Sequence, residues 1–153
     1  MTTSHPQTLL RSPREKLDGY ILLPRLIDKV RAHARGMLPE VYHRNLLRPG
    51  LTLDGRLLTF TGVDGEALRE MVVTSDADEP IIRWITEYGH SHSEEDKQRW
   101  AEEVEAYRPS GRVLLYLQAT HPELAARVDF TRFSLLDLLD MDEGRLSIPS
   151  SAG

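Results

Sequence analysis

The stretch that decides the fold runs from Leu22 to Glu40 and reads LLPRLIDKVRAHARGMLPE. Pro24 suits the first turn of a helix, because that position needs no backbone N–H donor. Gly36 followed by Pro39 is typical of a helix end. Between these signals, apolar side chains recur at helical spacing, at Leu23, Leu26, Ile27, Val30, Ala34 and Met37. At about 100° per residue they share one face, so the stretch predicts an amphipathic helix against a core.

The same helix carries a surplus of positive charge, although the formal net charge of the chain is −5. Lys29 and His33 are predicted on one flank of the apolar face and Arg31 on the other. Arg25 and Asp28 fall on the back of the helix. Asp28 has an arginine three residues away on each side. Helical pairs of this kind contribute only about 0.2–0.5 kcal/mol, so they satisfy Asp28 but leave positive charge unexplained.

A complementary surplus of negative charge lies at the end of the last predicted helix, where the helix dipole disfavours anions by about 0.3–1 kcal/mol each. One interpretation is a polar seam, in which these acids pair with Arg25, Lys29 or Arg31 and lock the chain ends together. A second is a cleft that binds an anionic small molecule or an acidic peptide through charge-assisted hydrogen bonds. A third is a solvated face. The candidate ligand-binding residues are Arg25, Asp28, Lys29, Arg31, His33, Asp140, Asp142 and Glu143.

Helix start and stop signals recur along the rest of the chain. Asp64 and Ser93 are predicted N-caps, and Pro80 and Gly89 bracket another helix. Further helices are predicted over residues 113–117, 122–128 and 133–139. These signals predict an all-α fold, a compact single-domain bundle of six to eight short helices. The domain is predicted to span residues 9–148, with flexible tails at 1–8 and 149–153.

Two further segments need a separate decision. Ser12-Pro13-Arg14-Glu15 has the form of a capping box and predicts a short helix that stops by Gly19. Residues 51–60 contain Asp54-Gly55 between alternating apolar residues, which is a hairpin signal. In the rival interpretation Asp54 caps a helix that ends near Gly62. Since a lone hairpin is marginal in water, the helix is preferred and a minor hairpin near residues 51–60 is the alternative.

Composition excludes several classes of protein. A length of 153 residues suits one domain. The pI near 5.7 argues against a nucleic-acid partner, because phosphate contacts need a basic surface. With no cysteine, disulfides and cysteine-bound zinc are excluded. No apolar run reaches the about 18 residues of a membrane helix, and the N-terminus lacks a secretory pattern, so a cytoplasmic location without a membrane partner is predicted.

Several short motifs are spread over the sequence: Leu10-Arg11-Ser12-Pro13-Arg14-Glu15, Leu23-Pro24-Arg25-Leu26-Ile27-Asp28-Lys29, Arg31-Ala32, Leu53-Asp54, Phe60-Thr61-Gly62-Val63-Asp64, Leu135-Leu136-Asp137-Leu138-Leu139-Asp140 and Asp142-Glu143-Gly144-Arg145. Together they resemble a bacterial family known as domain of unknown function 5069. The resemblance implies one family domain over roughly residues 9 to 148. It implies no activity.

Other candidate sites are weaker. His90 and His92 lie among acidic residues, but the spacing does not match a metal-binding helix, so no metal site and no cofactor is expected. Trp84 and Trp100 are expected to pack between neighbouring helices, with an aromatic ligand pocket as the alternative. No nucleophile elbow or phosphate-binding loop is present.

For function we favour a binding or interaction module that uses the basic helix, residues 24–35, to engage an anionic small molecule or an acidic protein segment. The alternative is a small acid/base hydrolase or isomerase that uses His33 with a carboxylate from the C-terminal acidic cluster.

Overall fold

The computed structural model describes residues 10–149, and most of them lie in short α-helices. Of the predicted tails at 1–8 and 149–153, residues 1–8 and 150–153 lie outside the described residues. Within residues 10–149 there are eight α-helices, which confirms the predicted all-α class and helix number. The elements are β1 Lys16–Leu17, β2 Tyr20–Ile21, α1 Leu23–Ala34, a 3-10 turn Glu40–Tyr42, α2 Leu53–Thr61, α3 Gly65–Val73, α4 Glu79–Tyr88, α5 Glu94–Ala106, α6 Gly111–Thr120, α7 Pro122–Ala125, a second 3-10 turn Phe130–Arg132 and α8 Leu135–Asp142.

Helix α1 is the central element, as its sequence predicts. Leu23, Ile27 and Val30 are fully buried. The predicted apolar face is too long at its C-terminal end, however. Met37 follows the end of α1 and is 59 % exposed, because the chain has already left the helical path at Arg35.

The short helix predicted after Ser12 is wrong. Ser12 and Glu15 do make turn contacts, since the Glu15 N–H donates to the Ser12 carbonyl oxygen at 3.1 Å. The chain then forms an antiparallel hairpin of β1 and β2. Asp18 and Gly19 form its turn with φ values of 51° and 83°. Two consecutive positive φ values match a tight hairpin turn, in which glycine carries no side-chain penalty.

Residues 53–61 form helix α2, so the helical interpretation is confirmed and the alternative hairpin near residues 51–60 does not form. The predicted cap is wrong by two residues: the side chain of Thr52, rather than Asp54, accepts a hydrogen bond from the Gly55 N–H. Gly62 ends the helix as predicted. A Cβ atom on Gly55 would lie only 2.4 Å from the Gly50 carbonyl oxygen, so glycine lets the start of α2 pack directly on the preceding loop.

The other predicted caps are confirmed. The Asp64 carboxylate accepts from the Ala67 N–H at 3.0 Å. Ser93 and Asp96 form a reciprocal capping box at the start of α5. No helix within residues 10–149 has the length and apolarity that a membrane span requires.

The buried side chains form two clusters. The larger one surrounds α1 and includes side chains of α2 to α5. The smaller one is built by α6 to α8 around Leu117, Phe130 and Leu138. Leu53 and Leu139 pack against both clusters. This junction, between α1 and α2 on one side and α6 and α8 on the other, also contains the main polar features of the molecule.

Candidate functional site

Glu143, immediately after α8, is the most deeply buried charged residue described, with 0 % of its surface exposed. Arg25 binds it with both terminal guanidinium nitrogens, at 2.8 Å from Nη1 to Oε1 and with a second bond from Nη2 to Oε2. The Tyr42 hydroxyl donates to Oε2 at 2.7 Å, and Arg145 donates to Oε1. Each oxygen of this buried carboxylate therefore accepts two hydrogen bonds from donors of the same chain.

Burial and hydrogen bonding act in opposite directions on this carboxylate. Burial alone raises the pKa of Glu143, but the hydrogen bonds and positive charge of Arg25, with Tyr42 and Arg145, outweigh it and hold that pKa below its ordinary 4.5. Burial and the negative charge of Glu143 raise the pKa of Tyr42. Tyr42 is therefore a stable hydrogen-bond donor in the neutral range.

Asp140 extends this buried polar network to residues near the start of the described chain. Its carboxylate accepts from the Ser12 hydroxyl at 3.1 Å, from Arg14 at 2.9 Å and from Arg145 at 3.2 Å. Arg145 also donates to the Leu10 carbonyl oxygen. We call Arg14, Arg25, Tyr42, Asp140, Glu143 and Arg145 the polar seam. The predicted seam between the basic helix and the C-terminal acids is confirmed for Arg25, which is buried rather than on the solvated back of α1.

The other charged residues of α1 have different partners. Lys29 donates to Asp54 at 2.6 Å, and Asp54 also accepts from the Leu47 N–H at 2.8 Å. Leu47 has a φ of 55°, an unfavourable conformation for a leucine, so this buried pair holds a strained loop in place. Arg31 pairs with Asp78 at 3.0 Å. In the described part of the chain the ion-pair partners of Lys29 and Arg31 are therefore Asp54 and Asp78, rather than Asp140 or Glu143.

Asp28 is satisfied from outside its own helix. Arg11 donates to it from Nε at 3.0 Å, from Nη2 at 3.1 Å and from its backbone N–H at 2.8 Å. The expected helical pairs between Asp28 and the arginines of α1 are therefore replaced by a pair with a residue 17 positions earlier.

His33 lies away from the acidic cluster. Its ring contacts that of His43 edge-on at 5.0 Å, and its Nδ1 lies 3.5 Å from a guanidinium nitrogen of Arg69. Within residues 10–149 no carboxylate forms an ion pair with His33. The histidine next to the acidic cluster is His121, whose Nε2 lies 3.7 Å from an oxygen of Asp142.

A cleft of about 510 Å³ opens beside the polar seam. One wall is the segment from Val41 to Asp54, and the other is formed by Tyr107, α6 and α8. Its lining residues are Arg25, Lys29, Val41, Tyr42, Arg44, Asn45, Arg48, Pro49, Leu51, Thr52, Leu53, Asp54, Tyr107, Arg112, Val113, Tyr116, Leu117, Thr120, His121, Leu135 and Leu139. The volume lies in the range of about 300–1,000 Å³ that is usual for small-molecule sites.

The cleft contains five side chains of permanent positive charge, and they divide into two groups. Arg25 and Lys29 lie at its base, where Glu143 and Asp54 neutralise them. The cleft arginines, Arg44, Arg48 and Arg112, are exposed. None of these three forms an ion pair with a carboxylate in the part of the chain that the structure describes. Arg44 instead lies over the ring of Tyr116, with its Cζ 5.3 Å from the centroid.

Of the predicted ligand-binding residues, only Arg25 and Lys29 line this cleft. Asp28, Arg31, His33, Asp140, Asp142 and Glu143 do not. The cleft arginines were not predicted from the sequence, although the sequence contains one sign of their unpaired charge. The segment from residue 41 to residue 52 carries Arg44 and Arg48 and contains no acidic residue. Its charge therefore has no local partner.

The predicted aromatic pocket residues lie elsewhere. Trp100 stacks on Phe60 at 4.3 Å between ring centroids, and His92 stacks on Phe60 at 3.8 Å. Trp84 contacts Tyr88 at 5.9 Å. Both tryptophans pack against the larger buried cluster, as expected for helix packing, and neither lines the cleft. Across residues 10–149 no group of three or more histidine, aspartate or glutamate side chains is arranged to hold a metal ion.

Sequence comparison agrees with this single helical domain. Residues 7–145 match the family described as Domain of unknown function (DUF5069). The chain belongs to the DUF5069 family. No curated protein shows significant similarity to the chain. In this DUF5069 member the cleft beside the polar seam is the candidate functional site.

Proposed function

We propose that the protein is a binding module for an anionic small molecule, which it holds in the cleft. The observation that carries this proposal is the unequal pairing of the cationic side chains there. Arg25 and Lys29 already have buried carboxylate partners. Arg44, Arg48 and Arg112 have no carboxylate partner among residues 10–149, and they line a cavity large enough for a small organic molecule.

Three guanidinium groups around one cavity favour an anion for two reasons. Arginine presents planar, multiple N–H donors that match carboxylate and phosphate oxygens. The positive charges also repel one another, and an anion between them removes that repulsion. The basic helix α1 then has a supporting role, because its Lys29 fixes Asp54 and thereby the loop that carries Arg48.

An acidic peptide is the second type of anion that this charge favours. We prefer a small molecule, because the cleft volume of about 510 Å³ is usual for a small-molecule site and its walls are aromatic and aliphatic. We also propose a cytoplasmic location in a bacterial cell, on the composition and the family resemblance. Neither nucleic acid nor a membrane is proposed as a partner.

One observation supports the alternative of a small acid/base hydrolase or isomerase. His121 lines the cleft, its Nε2 lies 3.7 Å from Asp142, and its Nδ1 lies 3.0 Å from the Thr120 hydroxyl. A histidine beside a carboxylate can transfer protons at neutral pH. This alternative is therefore better placed at His121 than at His33. If a bound ligand is converted by the wild type and not by His121→Gln, the enzyme is supported; recovery of the unchanged ligand supports the binding module.

The binding proposal is tested by titrating the ¹⁵N-labelled protein with octanoate, octanamide and octylamine, which share a chain and differ in charge. We expect octanoate to shift the amide signals of residues 41–54 and 111–121, and octylamine to leave them unchanged. A chemically synthesised acidic peptide forms a separate arm. Absence of cleft shifts with every anion would refute the proposal.

A matched pair of triple variants separates the cleft from general surface charge. Arg44→Gln, Arg48→Gln and Arg112→Gln together remove three positive charges from the cleft. Arg83→Gln, Arg99→Gln and Arg127→Gln together remove three exposed positive charges that do not line it. The first variant should lose octanoate binding and the second should keep it. Equal loss in both variants would show attraction to net charge alone.

A further inference from the structure

The cleft is not uniform, and the distribution of its side chains specifies the ligand more closely. We propose that it binds an amphipathic anion, with a carboxylate or phosphoryl head between Arg44 and Arg112 and an aliphatic or aryl body against the wall formed by α6 and α8. This inference rests on the proposed function and narrows it to one chemical class of ligand.

Arg44 and Arg112 define the position of the head, because both are placed relative to Tyr116. Arg44 lies over the Tyr116 ring, 5.3 Å from its centroid. Arg112 precedes Tyr116 by four residues on α6, which puts it one turn away on the same face, a rise of about 6 Å. Arg112 and Tyr116 therefore share one face of α6, and Arg44 contacts the Tyr116 ring from the opposite wall of the cleft.

The position of the body follows from the aliphatic side chains of the cleft. Val113 and Leu117 lie one turn apart on α6, and Leu135 and Leu139 lie one turn apart on α8. Leu53 of α2 joins them. Leu117 and Leu135 belong to the smaller apolar cluster, and Val113, Leu139 and Leu53 pack against it. These side chains line the cavity, so an apolar ligand body would be transferred from water into contact with them.

The length of the cleft limits the size of this body. The lining residues of α6 run from Arg112 to Thr120, and at about 1.5 Å per residue this stripe is about 12 Å long. Tyr42 and Arg25 also line the cleft, but both are already bonded to Glu143, so they are not free to bind the anionic head. A ligand of medium length with one charged end fits this arrangement, whereas a compact polyanion would leave the aliphatic wall uncovered.

A series of straight-chain carboxylates tests the inference by isothermal titration calorimetry below their micelle concentrations. Butanoate, hexanoate, octanoate and decanoate share one head and differ only in the body. We expect affinity to rise about three- to fourfold per methylene group until the wall is covered, the factor expected for a buried methylene. Octyl phosphate, compared with octanoate, distinguishes a phosphoryl head from a carboxylate head.

Variants test the two ends separately. Arg44→Gln and Arg112→Gln should each lower affinity about tenfold or more for every chain length, since each removes one charge-assisted hydrogen bond. Arg83→Gln is the matched control, and it should have no effect. Val113→Thr changes polarity at nearly constant shape, so it should weaken decanoate more than butanoate.

The outcomes distinguish failure of this inference from failure of the proposed function. If anions bind in the cleft with the same affinity at every chain length, the proposed function holds and the amphipathic ligand is wrong. If affinity rises with chain length but does not depend on Arg44 or Arg112, the assigned head position is wrong. If no anion binds in the cleft, both proposals fail.

Discussion

Arg25 and Arg112 line the same cleft and carry the same guanidinium group, but their surroundings are opposite. Arg25 is 4 % exposed and binds Glu143 with two nitrogens. Arg112 is exposed, lines the same cleft and has no carboxylate partner within residues 10–149. The difference shows that the surplus charge on the basic helix is mainly structural. The charge available to a ligand comes instead from the segment after α1 and from the start of α6.

The strongest test of this comparison is to remove the buried member. Arg25→Met should destabilise the protein by about 3–5 kcal/mol, because Glu143 is left as a buried charge without its main partner. Urea unfolding followed by circular dichroism measures the loss. A second substitution, Glu143→Leu, should recover much of it, since the unpaired charge is then gone. A loss below about 1 kcal/mol in the single variant would contradict the structural role of the seam.

Acid should weaken the seam to a smaller extent. A carboxyl whose pKa is lowered by folding stabilises the folded state above its unfolded pKa, and this contribution disappears as the pH falls through the lower folded pKa. For Glu143 the unfolded value is near 4.5. Stability should therefore decline below about pH 4.5, by less than in Arg25→Met, because a protonated carboxyl keeps some hydrogen bonds. Glu143→Gln should flatten this part of a melting-temperature profile; an unchanged profile would contradict the assignment.

Gly55→Ala tests the close contact between helix α2 and the preceding loop, which carries the cleft arginine Arg48. The added Cβ would meet the Gly50 carbonyl oxygen at 2.4 Å, so the loop that carries Arg48 must move, at a cost of about 1–3 kcal/mol. Gly65→Ala is the matched control, because that glycine also lies in the first turn of a helix and the nearest neighbour of its added Cβ is a side-chain methyl of Leu58 at 3.3 Å. Differential scanning calorimetry should show a clear loss only for Gly55→Ala. Equal melting temperatures would argue against a rigid contact between loop and helix.

The smallest effect on stability is expected at the cleft arginines. Arg44→Gln, Arg48→Gln and Arg112→Gln should each change the free energy of unfolding by no more than about 0.5 kcal/mol, because exposed side chains without ion pairs contribute little. Urea unfolding of each variant measures this. A loss comparable to that of Arg25→Met would mean that these arginines are structural too, and the contrast between seam and cleft would disappear.

The local structure could be predicted from sequence wherever short-range signals acted alone. The caps at Asp64 and Ser93 and the helix end at Gly62 depend on neighbouring residues only. Two Asp-Gly pairs show where such signals fail. Asp54-Gly55 lies inside a helix, whereas Asp18-Gly19 forms the hairpin turn. The difference comes from distant partners: Lys29 binds Asp54, and Lys97 binds the Asp18 carbonyl oxygen at 3.0 Å.

The candidate site was less predictable for the same physical reason. Helical periodicity places Arg25 on the back of α1, but it cannot show that Glu143, 118 residues later, covers that back. The sequence predicted that cations of the basic helix pair with the C-terminal acids. It did not predict that Arg25, rather than Lys29 or Arg31, forms the pair. The cleft itself depends on how α6 and α8 pack against the loop before α2, which no local pattern encodes.

The separation between Arg25 and Glu143 also affects how the chain is made. At a synthesis rate of about 5–20 residues per second, 118 residues take roughly 6–24 s, and throughout that interval the nascent α1 has no carboxylate for its arginine. If synthesis stops before residue 143, the polypeptide cannot bury helix α1 without leaving the Arg25 guanidinium buried and without its Glu143 partner. Synthesis through residue 143 is thus a precondition for closing the interior, and products that end before it should be substrates for chaperones and proteases.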